Sequence, residues 1–194
     1  MNNNSLLTST KDTRIPSLLP SLLPPRERTV FYTGTVTESQ NEQVLKSIGT
    51  LLDTSIDPIG LLVTSPGGTT GSAMSFYDAI KHILKPDLVT IGSGDVDSSG
   101  IIIFLTGNRR YVSPRTTMLL HSAGRHFGSQ RYTTKEMKAM LQEDRLKDSQ
   151  YAGVVAQNSH GRLTVPQVLM MMERETVLSP ADMIKFGLAD FMLS

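Results

Sequence analysis

The stretch Gly94-Asp95-Val96-Asp97-Ser98-Ser99-Gly100, followed by the apolar run Ile101-Ile102-Ile103-Phe104-Leu105, places a glycine-bracketed turn between two unlike segments. Leu88 to Ile91 before it is short and β-rich, and the run from Ile101 opens a helix that stops near Gly107. A strand that turns into a helix in this way is the junction of an α/β unit. It also leaves a serine, Ser98, on a turn, where a hydroxyl is within reach of other groups.

The same alternation extends in both directions. Thr29 to Tyr32 reads as a strand ended by Gly34, and Val44, Leu45, Ile48, Leu51 and Leu52 recur at helical spacing. Ile59 to Val63 is the next strand, closed by Ser65-Pro66-Gly67-Gly68. Ala73, Phe76, Tyr77, Ile80 and Ile83 mark a second amphipathic helix. After the turn come strands at Tyr111-Val112 and Thr117 to Leu120, then a long helix over 133–158. Met137, Met140, Leu141, Tyr151, Val154 and Val155 share one face of it. Thr164-Val165-Pro166-Gln167 has the form of a capping box. Ser179-Pro180 starts a helix that Gly187 ends, and Leu188 to Leu193 closes the chain as a strand. Strands separated by helices imply a mostly parallel sheet with right-handed crossovers, an α/β domain. The polar surface of the long helix predicts a projecting element that mates with another subunit.

Residues 1–25 differ in composition. Their Pro-Ser-Leu-Leu repeat cannot be a regular helix, because each proline removes a donor and crowds the preceding turn. This segment is expected to be partly disordered or to dock on another surface, and residues 26–194 to form a single catalytic domain. At 194 residues, with 39% hydrophobic and 19% charged, the chain is long enough for one sizeable core. A formal net charge of +1 with no long basic run argues against nucleic-acid and anionic-membrane partners. The absence of cysteine excludes disulfides, thiolate metal sites and cysteine nucleophiles, and suits a reducing compartment. The apolar runs are too short to span a bilayer, and the first residues lack a basic region followed by an apolar one. A cytoplasmic location is the expectation, with no metal and no cofactor.

Ser98 is the candidate nucleophile. A hydroxyl needs an adjacent base and a turn that exposes it. Helix N-capping is the competing role, since serine leads the residues found there, and Ser99 competes for either job. His121 ends the strand from Thr117 and precedes Ser122-Ala123-Gly124, so it faces a loop and is the candidate base. His82 on an amphipathic helix, His126 in a loop and His160 beside Gly161 are weaker. Gly67-Gly68 after a buried strand lets backbone N–H groups approach a ligand, which suits an oxyanion. A phosphate cradle fits poorly because no Gly-Lys-Ser/Thr follows; a plain turn is the remaining alternative.

These motifs occur in an order that resembles the proteolytic subunit of the Clp protease, the caseinolytic serine peptidase family. Arg28 to Gly34 resembles its first strand, and Thr64-Ser65-Pro66-Gly67-Gly68 with Ala73 to Asp78 its Asn-Ser-Pro-Gly-Gly segment and following helix. Lys85-Pro86-Asp87, Gly94 to Gly100, Pro114 to His121, and Leu178-Ser179 through Gly187-Leu188 are similar to further segments, so the resemblance covers residues 26–193. It implies a crotonase-like α/β fold of repeated β-β-α units. It implies Ser98 as nucleophile, His121 as general base, and the N–H groups of Gly68 and Ser99 as oxyanion hole. It further implies seven-subunit rings stacked in pairs as a tetradecamer, homo- or hetero-oligomeric. The long helix and the segment after His121 would make the ring–ring contact. Unfolded protein substrates would be fed by an AAA+ ATP-driven unfoldase.

The sequence also departs from that pattern. Glu175 stands where the family has its catalytic aspartate; Ser-His-Glu triads exist on other folds, so Glu175 is the candidate third member. Asp97 puts a carboxylate beside Ser98. It is expected either to bias cleavage toward cationic or small residues or to serve as a helix-start carboxylate. The family's His-Gln-Pro is His121-Ser122-Ala123 here. Two further functions follow as alternatives: a catalytically weak or inactive ring subunit paired with an active paralogue, and a crotonase-type acyl-CoA hydratase or isomerase.

Overall fold

The computed structural model describes residues 23–193 other than His126. The expectations for the proline-rich segment through residue 22, and for His126, lie outside the described residues. In chain order the elements are β1 (Thr29–Thr33), α1 (Glu38–Thr54), β2 (Ile59–Ser65), α2 (Thr70–Asp78), β3 (Leu88–Val96), α3 (Ser99–Phe104) and β4 (Arg109–Val112). They continue with β5 (Met118–Leu120), α4 (Thr134–Gln157), α5 (Val165–Glu173), β6 (Thr176–Leu178), α6 (Pro180–Lys185) and β7 (Phe191–Met192).

Five strands form one parallel sheet in the order β1-β2-β3-β4-β7, while β5 and β6 pair antiparallel. From β1 to β4 each strand lies beside its sequence neighbour and is joined to it by a helix. Such crossovers share one hand and stack their helices on one face. The core follows that asymmetry. The main apolar cluster joins Leu61, Val63 and Leu88 to Val44, Ile48, Phe76 and Ile101 of the helices. A smaller buried cluster of Val89, Ile91 and Tyr111, with Leu23 and Leu193 against it, lies on the opposite face.

Every residue of α3 is buried, which explains why Ile101 to Phe104 shows no polar face. Tyr32 donates to Asn41 Oδ1 at 2.7 Å, and Asn41 Nδ2 donates to the Ser72 carbonyl at 2.7 Å. One buried amide thereby fastens β1, α1 and α2 to each other. The capping box expected at Thr164 is present, with Gln167 Oε1 accepting from the Thr164 N–H at 2.8 Å, and the helix start at Ser179 has one too, Asp182 accepting from the Ser179 N–H at 3.1 Å.

Three boundaries differ from the sequence expectation. The second helix is α-helical only to Asp78 and continues over Ala79–Leu84 as a π-helical turn, ended by Lys85 in a left-handed conformation ahead of Pro86. Strand β3 runs on to Val96, because pairing with β2 resumes past an irregularity as Ser65↔Val96. The last strand is only Phe191–Met192, since the N–H groups of Leu188 and Ala189 both go to the Met183 carbonyl and close α6. Helix α4 does not bury one continuous face: Tyr151, Ala152 and Val155 pack into the core, whereas Met137 and Leu141 are each 51% exposed.

This division predicts unequal costs of truncation. Ile102→Ala, in the fully buried α3, should lower unfolding free energy by about 2–5 kcal/mol, while Leu141→Ala should stay within about 0.5 kcal/mol. Chemical denaturation of both variants checks the pair.

Candidate active site

Strand β3 carries the chain to Val96, and there it reverses. Ser98 adopts φ 53° and ψ −127°, a conformation that costs an L-residue roughly 1–3 kcal/mol. It occupies the position before α3, yet its side chain makes no capping hydrogen bond. The capping role is therefore not realised, and Ser98 lines a cleft of about 660 Å³ together with Pro66, Gly68 and His121.

Four hydrogen bonds hold this strained turn. The Asp97 N–H donates to the Ser65 carbonyl at 2.9 Å, and the Ser98 N–H to the Leu119 carbonyl at 2.8 Å. Asp97 Oδ1 accepts the Leu119 N–H at 2.7 Å, and the Tyr151 hydroxyl donates to the Ser98 carbonyl at 3.0 Å. Both polar groups of the Leu119 backbone are thus gripped by consecutive residues of the turn. The Asp97 carboxylate thereby ties the turn to β5. Burial pushes its carboxyl above the ordinary range, with the charge of Asp95 acting the same way, while the Leu119 N–H and His121 pull it down. Burial likewise raises the Tyr151 phenol, which keeps it a hydrogen-bond donor.

Gly67 and Gly68 bring the β2–α2 loop against the turn. A Cβ on Gly67 would lie 2.6 Å from Ser98 Cβ, and one on Gly68 would lie 2.4 Å from the Val36 carbonyl oxygen. Gly68 forms a parallel bridge with Val36, in which the flanking Gly67 C=O and Thr69 N–H make the bonds, at 2.8 and 3.0 Å. Its own N–H and C=O therefore point away from Val36. The carbonyl accepts the Ser99 hydroxyl at 3.0 Å. That bond ties Gly68 to the first turn of α3, where the Ser99 N–H lies. Neither the Gly68 nor the Ser99 N–H has a hydrogen-bond partner among the described residues.

His121 follows β5 directly and is half-buried. Its Nδ1 donates to the Ser122 carbonyl at 2.8 Å, which leaves Nε2 as the acceptor of a neutral ring. No hydrogen bond joins Ser98 and His121, although both face the same cleft. Glu175 makes no hydrogen bond to His121. The register Met118↔Leu178, Leu119↔Val177, Leu120↔Thr176 sets Glu175 across from His121, one step past the ladder. Glu175 itself ends α5 in a left-handed conformation, φ 51°, with its N–H on the Met172 carbonyl at 3.1 Å. Its carboxylate makes no bond to the imidazole and does not line the cleft.

Of the other histidines, His82 pairs at 3.8 Å with Asp78, and His160 lies between Arg110 and Asp190; neither lines the cleft. Among the described residues, a second cleft of about 550 Å³ between β1 and α1 is lined by no titratable side chain. Among the described residues no cluster of histidine and carboxylate side chains could hold a metal ion, and no helix is long and apolar enough to cross a membrane. Leu119 and Tyr151 escaped the sequence reading as parts of the site. One contributes only its backbone, and the other lies 53 positions from Ser98.

Two stability measurements test this construction. Ser98→Gly should raise unfolding free energy by about 1 kcal/mol by relieving the positive φ, whereas Ser98→Ala should not. Asp97→Ala, which orphans the Leu119 N–H, should cost about 1–3 kcal/mol, and Asp97→Asn should cost little at neutral pH. Because burial raises the folded-state value of Asp97, its contribution is greatest at low pH and declines as pH rises through that value. The stability of Asp97→Asn relative to the unsubstituted chain should therefore increase as pH rises from about 4, the ordinary aspartate value, through the raised folded-state value.

Comparison with known proteins places this geometry in a family. A family model described as Clp protease matches residues 16–194. The ATP-dependent Clp protease proteolytic subunit 2 of Pseudomonas aeruginosa is 41% identical over 96 residues, 48% of this chain and 47% of that protein. Subunit 3 of Rhizobium meliloti is 38% identical over 98 residues, 50% of each. The corresponding subunit of Paracoccus denitrificans is 31% identical over 119 residues, 60% of this chain and 58% of that protein. The chain spans about half the length of the curated relatives it matches. A solved ClpP1 mutant from Listeria monocytogenes shares the fold, with a TM-score of 0.76 at 24% identity, covering 87% of this chain and 92% of that one. With the family model matched across the strand-to-helix turn, the glycine loop and both strands of the β5–β6 pair, this protein belongs to the Clp protease family.

Proposed function

We propose that the chain is a serine-type endopeptidase subunit that cleaves unfolded polypeptides, with Ser98 as nucleophile and His121 as general base. The observation that carries this reading is the uncapped Ser98 hydroxyl on a strained turn, in one cleft with His121 and beside two unpartnered N–H groups. Ser98 Oγ attacks the scissile carbonyl carbon while its proton passes to His121 Nε2. The oxyanion accepts from the Gly68 and Ser99 N–H groups. His121 then gives the proton to the leaving amine, and water hydrolyses the serine ester by the same route. The Ser122 carbonyl fixes the tautomer that leaves Nε2 basic. Glu175 joins the mechanism only where the Ser122 carbonyl gives up Nδ1.

The same reading includes assembly into paired seven-membered rings fed by an AAA+ unfoldase. The exposed Met137 and Leu141 of α4 support a ring–ring contact. One observation favours a second function, a weakly active structural subunit: no bond links His121 to either Ser98 or Glu175. The positive φ and missing cap bond of Ser98 favour the peptidase, since a purely structural turn gains nothing from holding serine there. They disfavour an acyl-CoA hydratase for the same reason.

Turnover of a small peptide ester tests the assignment. Ser98→Ala and His121→Ala should each lose about 10³-fold or more. Glu175→Ala should change turnover less than about threefold, because Nδ1 already has its carbonyl; a loss above about 100-fold would restore Glu175 as the third triad member. Equal turnover by all variants would leave the structural subunit.

A further inference from the structure

The cleft that holds Ser98 and His121 extends to Arg125, on the segment after the histidine, and to Asp144 and Lys147 on α4. Among the described residues its lining has no large apolar side chain; Val36, Pro66 and Ala123 are the apolar groups, beside Thr35, Thr37, Thr69 and Thr70. An apolar substrate side chain therefore finds little to pack against.

The charged groups are unevenly committed. Arg125 Nε reaches both Asp144 oxygens, at 2.9 and 2.8 Å, and Arg125 Nη2 reaches Glu143 Oε2 at 2.6 Å and the Met140 carbonyl at 3.4 Å. Lys147 Nζ meets the other Glu143 oxygen at 2.6 Å. Asp148, on the same helix, is held by the Ala123 N–H at 2.8 Å and does not line the cleft. Asp97, the carboxylate nearest Ser98, is engaged by Leu119. Every carboxylate at this end of the site thus already has a donor. Arg125 Nη1 has no partner among the described residues, and Lys147 has one contact for three hydrogens. What the lining offers is hydrogen-bond donors, with Arg125 and Lys147 set against the one carboxylate of Asp144.

We propose that the cleft selects an acidic side chain, glutamate or aspartate, beside the bond to be cleaved, with Lys147 and Arg125 as the specificity-determining groups. The inference rests on the peptidase reading. It reverses the preference for cationic residues expected from Asp97, because that carboxylate is turned into the protein framework.

The test is a set of fluorogenic peptides differing only in the residue before the scissile bond: Glu, Gln, Leu or Lys. The Glu peptide should exceed the Leu peptide in kcat/KM by about fivefold or more, the value of one exposed charge pair at its upper range, and the Lys peptide should be poorest. Lys147→Met should narrow the Glu-to-Lys ratio and Lys147→Glu should narrow it further, mainly through KM. Lys147 is half-buried on α4, and its pair with Glu143 one helical turn away contributes little to the fold, so both variants keep it. A leucine preference, or a ratio unmoved by both Lys147 variants, overturns this inference and leaves the peptidase standing. No turnover of any peptide, including a small ester, overturns both.

Discussion

The backbone of Leu119 is the fixed point on which the site depends. Its carbonyl takes the Ser98 N–H and its N–H is taken by the Asp97 carboxylate, at 2.8 and 2.7 Å. Those two bonds hold a serine in a conformation that costs roughly 1–3 kcal/mol. Each such hydrogen bond contributes about 1 kcal/mol net, somewhat more with a charged acceptor, so the pair together with the Tyr151 bond is of the size the strain requires. The same strand that supplies Leu119 leads directly into His121. One short strand therefore sets the turn and the imidazole relative to each other.

The remaining parts converge on that point. Pairing of β2 with β3 brings Ser65 to the turn, and Gly67 and Gly68 permit the loop after it to close to contact distance. Buried α3 starts at Ser99, so its first N–H lies beside the turn, and the Ser99 hydroxyl holds Gly68 in place. Helix α4 serves twice: its C-terminal half packs into the core through Tyr151 and Val155, and its middle supplies Asp144 and Lys147 to the cleft wall.

The strand–helix alternation was legible because periodicity and glycine or proline punctuation are local signals. Ser98 was ambiguous because helix caps and nucleophile turns use the same residue in the same place; only φ and the missing cap bond separate them. Asp97 illustrates the opposite problem. Its position beside the serine was plain, but its partner is a backbone N–H 22 residues away, which no spacing rule encodes. Glu175 was reachable through family resemblance alone, and register does set it opposite His121. Its backbone at the end of α5 is left-handed, and the Nδ1 that it would meet is taken by the Ser122 carbonyl. The charged cleft wall depends on the packing of α4 against the segment after His121, a contact between distant positions.

The claim that the Leu119 clamp presents a reactive Ser98 is tested most directly by fluorophosphonate labelling, with the modified residue mapped by mass spectrometry. The unsubstituted chain and Asp97→Asn should both be modified at Ser98, and Asp97→Ala far more slowly. Modification elsewhere, no modification, or equal rates in Asp97→Ala and the unsubstituted chain would contradict the account.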